Sequence, residues 1–313
     1  MNSPSNIVPE SSNDSQVVAP APMSPTRPLF WSVRRELWEN RSIYIAPLIV
    51  AGLVLFGFAI SAIGLPGRRR ALMLLDPVKQ RALIEPPYDV AAMMLMLTAF
   101  IVGLFYCLDA LHGERRERSI LFWKSLPVSD LTTVLSKAII PLVVLPLLTC
   151  VIIVATQLIM ILMTTAVLLP SGLAATTWTL LPFFQMSVVL LYGVVVLALW
   201  HAPIYGWALL VSGWARRAAF LWAVLPWVAI CIVEKIAFNT AHFAAMLGKR
   251  LTGSEDAFII GKQPHGVVIP VVDHLAQLTP LKFLSCPGLW IGLAFAAAFL
   301  ATAVRQRRYR GPL

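Results

Sequence analysis

An all-α polytopic membrane protein is the fold class this sequence predicts, and three observations carry it. Hydrophobic residues make up 58% of the 313 residues and charged ones only 13%, where a soluble domain carries about 25% charged. Mean hydropathy is +0.78. The apolar residues are also gathered into six runs, each close to the roughly 20 residues that carry a helix across the hydrocarbon core.

In chain order, residues 1–27 are rich in Ser, Pro and Asn and have no apolar period, which predicts a disordered cytoplasmic tail. The tail lacks the basic-then-apolar layout of a signal peptide. Pro28 to Ser42 places Phe30, Val33 and Leu37 on one helical face, flanked by Trp31 and Trp38, with Arg34, Arg35 and Arg41 nearby. This is the pattern of a helix lying in the membrane interface before a span. The transmembrane domain, 28–310, then has spans expected at about 43–64, 90–111, 138–168, 180–210, 220–245 and 288–304. The third and fourth contain Pro141, Pro146, Pro182 and Pro203, so they are expected to kink or to project beyond the bilayer. Residues 169–179 hold no charge and read as a tight turn. The loops 65–89 and 246–287 are larger. In the second, the apolar stretch from Ala257 to Leu278 fits a re-entrant or surface helix.

Six spans put both termini on one side, and that side collects fifteen Lys and Arg against nine on the other. The bias predicts cytoplasmic termini. Arg68, Arg69 and Arg70 run against it, being grouped just beyond the first span on the opposite side. The net charge of +10 does not indicate nucleic-acid binding, because the basic residues flank apolar runs and no recognition motif accompanies them. Cys107, Cys150, Cys231 and Cys286 are isolated and read as small packed hydrophobes. Met93, Met94 and Met96, with Cys107 and His112, read as packing rather than a soft-metal path.

Between the second and third runs the chain reads GERRERSILFWKSLPVSDLTTVLSK, residues 113–137. Glu114, Arg115, Arg116, Glu117 and Arg118 carry the second span past the headgroups. Ile120, Leu121, Phe122 and Trp123 follow as a dense apolar patch, and Leu126-Pro127 ends the helix. Ser129 or Asp130 caps the helix that becomes the third span. Such a segment is too polar for lipid and too apolar for a solvated loop. It is expected at the membrane surface, offering its patch to a partner.

At these residues the chain resembles permeases of the ABC-2 type, the membrane subunits of ATP-binding-cassette exporters. Their pattern runs approximately Glu-Arg-x-x-Gly-Thr-Leu, then apolar residues, Pro-[Ile/Val]-Ser and a Lys entering the third span. Glu114, Arg115, Arg118, Ser119 and Ile120 occupy the first part, and Pro127, Val128, Ser129 and Lys137 the second. Arg118 stands where the family usually has Gly, and Ser119 where it has Thr. The resemblance covers about residues 28–310, although only this 25-residue motif is specific. It implies a homodimer or heterodimer of permease chains in a bacterial inner membrane, bound to ABC ATPase subunits that carry ATP and Mg. The 114–127 segment would be the coupling helix, with Leu121, Phe122 and Trp123 as apolar contacts and Glu114, Arg115, Arg116 and Glu117 as charged ones.

The chain has no GxxxxGK[ST] of its own, no constellation for catalysis and no resident cofactor, so a second polypeptide must supply the motor. Ionisable groups inside spans are candidates for a translocation path. Glu234, near the far end of the fifth run, is weighed against snorkelling; His201, in the fourth, against a packed polar kink. Two other readings stand beside transport by an ATP-driven permease. One is a membrane scaffold or assembly factor that recruits a non-ATPase partner. The other is an ion-coupled carrier, for which the spans offer almost no charge near the bilayer centre.

Overall fold

The computed structural model describes residues 26–117, 129–253, 257 and 278–309. Residues 1–25 of the expected tail, the apolar patch with Arg118, Leu121, Phe122, Trp123 and Pro127, and most of the 257–278 stretch lie outside them, while Thr26 and Arg27, expected in the tail, begin the first helix.

Helix α1 (Thr26–Glu39) is the expected leader, broken from α2 (Ser42–Ala62) at Asn40 and Arg41. Val33 and Leu37 pack on the bundle, while Phe30, Trp31 and Trp38 are exposed. The Arg34 guanidinium lies over the rings of Trp31 and Trp38, 5.2 and 4.9 Å from their centroids. Two short helices, α3 (Leu65–Leu72) and α4 (Pro77–Ile84), lead into the long α5 (Pro86–Arg116). Across the 118–128 segment, α6 (Asp130–Ile139) runs through a π-helical turn at Ile140–Val144 into α7 (Leu145–Leu168). Pro141 and Pro146 explain that turn. A proline has no N–H to donate and its ring crowds the preceding turn, and the wider π turn relieves both constraints without breaking the helix.

Residues 169–179 are more than the expected tight turn. A 3-10 turn ends at Gly172, whose φ of 72° is left-handed, and α8 (Ala174–Leu180) follows. Helices α9 (Phe183–Trp214) and α10 (Ala219–Phe238) come next. The fifth apolar run does not continue to 245 as expected. Asn239 turns left-handed at φ 50° and a separate α11 (His242–Thr252) begins. The short α12 (Pro280–Leu284) precedes α13 (Pro287–Tyr309).

Six of these units are long and apolar enough to cross a membrane: α2, α5, the continuous Asp130–Ser171 rod, α9, α10 and α13. The chain is therefore a helical multi-pass membrane protein. Helix α9 is the centre of the bundle, packed on α13 and α5, while α2 lies against α5 and α7. Gly206 permits the packing of α9 on α13: a Cβ there would sit 3.3 Å from the backbone of Ala296. Apolar clusters fill both ends. One, near the two termini of the described chain, holds Ile43, Tyr106, Cys107, Ile140 and Leu209; the other holds Phe58, Tyr88, Met160 and Leu181.

Candidate functional site: a buried ionic knot at one end of the bundle

At the end of the bundle that holds the termini, four helices bring charged side chains into one buried cluster. Helix α1 supplies Glu36 from its packed face, one residue before Leu37. Helix α5 supplies Glu114 from its last turn, α6 supplies Asp130 and Lys137, and α13 supplies Arg307. Lys137 Nζ lies 2.8 Å from Glu36 and 3.1 Å from Glu114. The Arg307 guanidinium donates to Glu114 through Nη1 and, at 3.1 Å, to Asp130 through Nε. The Tyr106 hydroxyl donates to the second oxygen of Glu36 at 2.8 Å. Glu36, Glu114, Lys137 and Arg307 are each at most 7% exposed.

Water cannot compensate charges at that burial, so each is stable only while its partners hold position. Opposite charges from α1, α5, α6 and α13 thus lock the helix ends to one another. Helix α9 joins through uncharged groups of its own. Ser212 Oγ accepts the backbone N–H of Leu111 and of His112, and Arg115 donates to the carbonyl of Gly213 at 2.8 Å.

Glu114 and Arg115, expected as charged contacts for a partner, are therefore turned into the bundle and bonded there. Arg116 and Glu117 are exposed and lie 3.7 Å apart, available at the surface. Ser129, not Asp130, is the cap: its Oγ accepts the Thr132 N–H at 3.1 Å. Asp130 is free to serve Arg307 because Ser129 takes that role.

The two translocation candidates are not brought together with this cluster or with each other. Glu234 receives the backbone N–H of His242 and Phe243 and the hydroxyl of Thr240. It satisfies the opening amides of α11, as an acid at a helix N-terminus does. His201 Nε2 donates to the Leu251 carbonyl at 3.2 Å, and its ring lies 4.8 Å from that of Phe100. It lines a cavity of about 50 Å³ together with Thr149, Tyr205, Pro141 and Pro146, beside the π turn. Helix α11 is held over this region by Arg250, which stacks on Trp200 at 4.2 Å and donates to the Gly288 carbonyl at 2.6 Å.

Sequence reasoning missed Glu36 and gave Arg307 no role beyond orientation. For Glu36 a signal was present: it falls three residues after Val33 and beside Leu37, on the face that packs. An acid on an apolar face calls for a base elsewhere in the chain. Set against known protein families, curated proteins and solved structures, the chain matches no family model, no curated protein and no solved structure.

Proposed function

We propose that this chain is the permease subunit of an ABC transporter of the ABC-2 type. It would move substrate out across the membrane on ATP hydrolysed by a separate subunit. The observation that carries the reading is the bridge made by Arg307. One guanidinium holds Glu114 on the near side of the 118–128 segment and Asp130 on its far side. The segment with the Ile-Leu-Phe-Trp patch is thereby anchored at both ends to a buried, ion-paired base shared by four helices.

A base of this kind suits force transfer. A push on the segment would reach α1, α5, α6 and α13 together, because separating them means parting buried opposite charges. A surface loop on flexible ends would dissipate the same push. The ion-coupled carrier reading draws less support. The ion pairs of the knot lie at an end of the bundle, whereas a carrier needs titratable charges near its middle.

The test is purification of the tagged chain in mild detergent from its native host, followed by identification of co-purifying polypeptides and assay of ATP hydrolysis. The expected result is an ATPase carrying a phosphate-cradling GxxxxGK[ST] loop in equal amount, with vanadate-sensitive turnover. A chain that purifies alone, or with a partner that does not hydrolyse ATP, refutes the proposal and favours a scaffold.

A further inference from the structure

The arginine triplet at 68–70 has no part in the function proposed above. It lies at the end of the bundle opposite the termini, on the short α3 that follows α2 after a two-residue turn. Arg68 is exposed and donates to the Ser61 carbonyl at 3.2 Å; Arg70 is exposed as well. Arg69 is different. It is 3% exposed, and its Nη1 is enclosed without any hydrogen-bond partner among the described residues. Each of the other deeply buried ionised side chains has an opposite charge or a carbonyl beside it: Glu114 meets Arg307 through one oxygen, and its other oxygen lies 3.1 Å from the Lys137 ammonium.

An arginine cannot escape this situation by losing its proton, since its pKa stays above about 12 in proteins. Burial pulls the Arg69 pKa down from its ordinary value, and Tyr88 offsets part of that. A lone buried guanidinium is costly, and an anion beside it would offset that cost. Helix α3 itself carries no acid. The group shown beside it is Tyr88, whose OH lies 3.2 Å from Thr164 Oγ1 and whose carbonyl receives Gln157 Nε2. The Gln157 Oε1 and the Thr177 hydroxyl at this end also lack partners.

Depth identifies the class of anion. Tyr88, beside Arg69, and Tyr106, in the ionic knot, stand 18 residues apart on the single helix α5. That separation is about 27 Å, close to the roughly 30 Å thickness of the hydrocarbon core. With the knot at one membrane face, Arg69 lies at headgroup level of the other. The anion abundant at that depth is phosphate, and the planar guanidinium fork matches phosphate oxygens two at a time.

We propose that Arg69 anchors a phosphate-binding site at the end of the bundle opposite the termini, filled by the headgroup phosphate of a membrane phospholipid. The site accounts for a basic triplet on the side where positive charge is otherwise scarce. It is independent of the transport reading.

The test uses the full chain, delipidated in detergent, with dioleoylphosphatidylglycerol or inorganic phosphate added back, read by native mass spectrometry and thermal unfolding. Wild type should hold one lipid, and Arg69→Gln should weaken that binding about tenfold to hundredfold, the worth of a charge-assisted bond. Arg68→Gln should stay within about twofold, because Arg68 is exposed. Stability should cross over. Without lipid, Arg69→Gln should unfold at a higher temperature than wild type, having lost an uncompensated charge; with lipid, wild type should gain and the variant should not. A merely structural arginine would lower stability in both conditions, and that result overturns the proposal. So does equal lipid binding by wild type and Arg69→Gln. Stabilisation of wild type by inorganic phosphate but not by the lipid would overturn the lipid assignment and give the site to a soluble phosphate. Where Arg69→Gln fails to fold, Arg69→Lys replaces it: it keeps the charge but loses the fork, and unchanged lipid binding by that variant refutes the site.

Discussion

Replacing Lys137 with methionine tests the ionic knot at its centre. The ammonium lies 2.8 Å from one Glu36 oxygen and 3.1 Å from one Glu114 oxygen, so those two oxygens are at most about 6 Å apart. Without the cation they face each other. At an effective dielectric of about 20 their repulsion is about 3 kcal/mol, and the attraction each enjoyed is lost as well. Removing one partner of a buried pair costs about 3–5 kcal/mol in general, and the local geometry gives the same range. Adding Glu36→Gln removes the repulsion, while Tyr106 still has an oxygen to donate to. The double variant should therefore be less destabilised than the two single variants summed, by about 2 kcal/mol or more.

The assay is unfolding of the purified chain in mixed micelles by added sodium dodecyl sulfate, followed by fluorescence of the ten tryptophans. Membrane insertion of each variant is checked first by fractionation. The cycle among wild type, the two single variants and the double variant isolates the coupling. Additivity within about 0.5 kcal/mol would mean the two charges do not interact, and the knot would not exist as described. A loss below about 1 kcal/mol for Lys137→Met alone would mean that water reaches the site.

Trp123→Asp should sharply lower co-purification of the ATPase while leaving membrane insertion intact; unchanged co-purification removes the patch from the coupling assignment. Gly292→Ala places a Cβ into the Arg250 guanidinium, the mobile tip of a long side chain that can swing aside, so stability should change by less than about 1 kcal/mol, the lost Arg250 contacts being offset by the gain in helix propensity. Freed from Gly288 and Trp200, Arg250 should become more open to trypsin, as timed digestion of membranes would report. Ser212→Ala deletes the hydroxyl that accepts from two amides on α5 and should cost about 1 kcal/mol in the micelle titration; an effect near zero would leave the Arg115–Gly213 bond to tie α9 to that end.

The membrane character was legible in the sequence because it depends on local composition. A run of about 20 apolar residues must cross the bilayer wherever the rest of the chain goes, and six runs appear in both the sequence and the structure. The packed face of α1 was equally legible, since Val33 and Leu37 follow the helical period. Interruptions were less so. The break after Phe238 depends on Glu234 reaching forward to amides eight and nine residues on, and α8 occupies a stretch whose uncharged composition fitted a turn as well as a helix.

What the sequence determined by itself is the solvent each segment lives in: apolar runs in lipid, basic flanks at the interface, and an amphipathic stretch at 113–137 between two spans. What only the tertiary structure decided is which charges are hidden and from whom. Lys137 meets Glu36 across 101 residues of chain, and Arg307 meets Glu114 across 193. Hydrophobic periodicity is a short-range signal and carries no information at those separations. Read singly, each of these residues, like Arg69, is an ordinary charge near the end of a span. Burial is a property of the assembled bundle, and burial alone turns the first four into a lock and leaves Arg69 needing an anion.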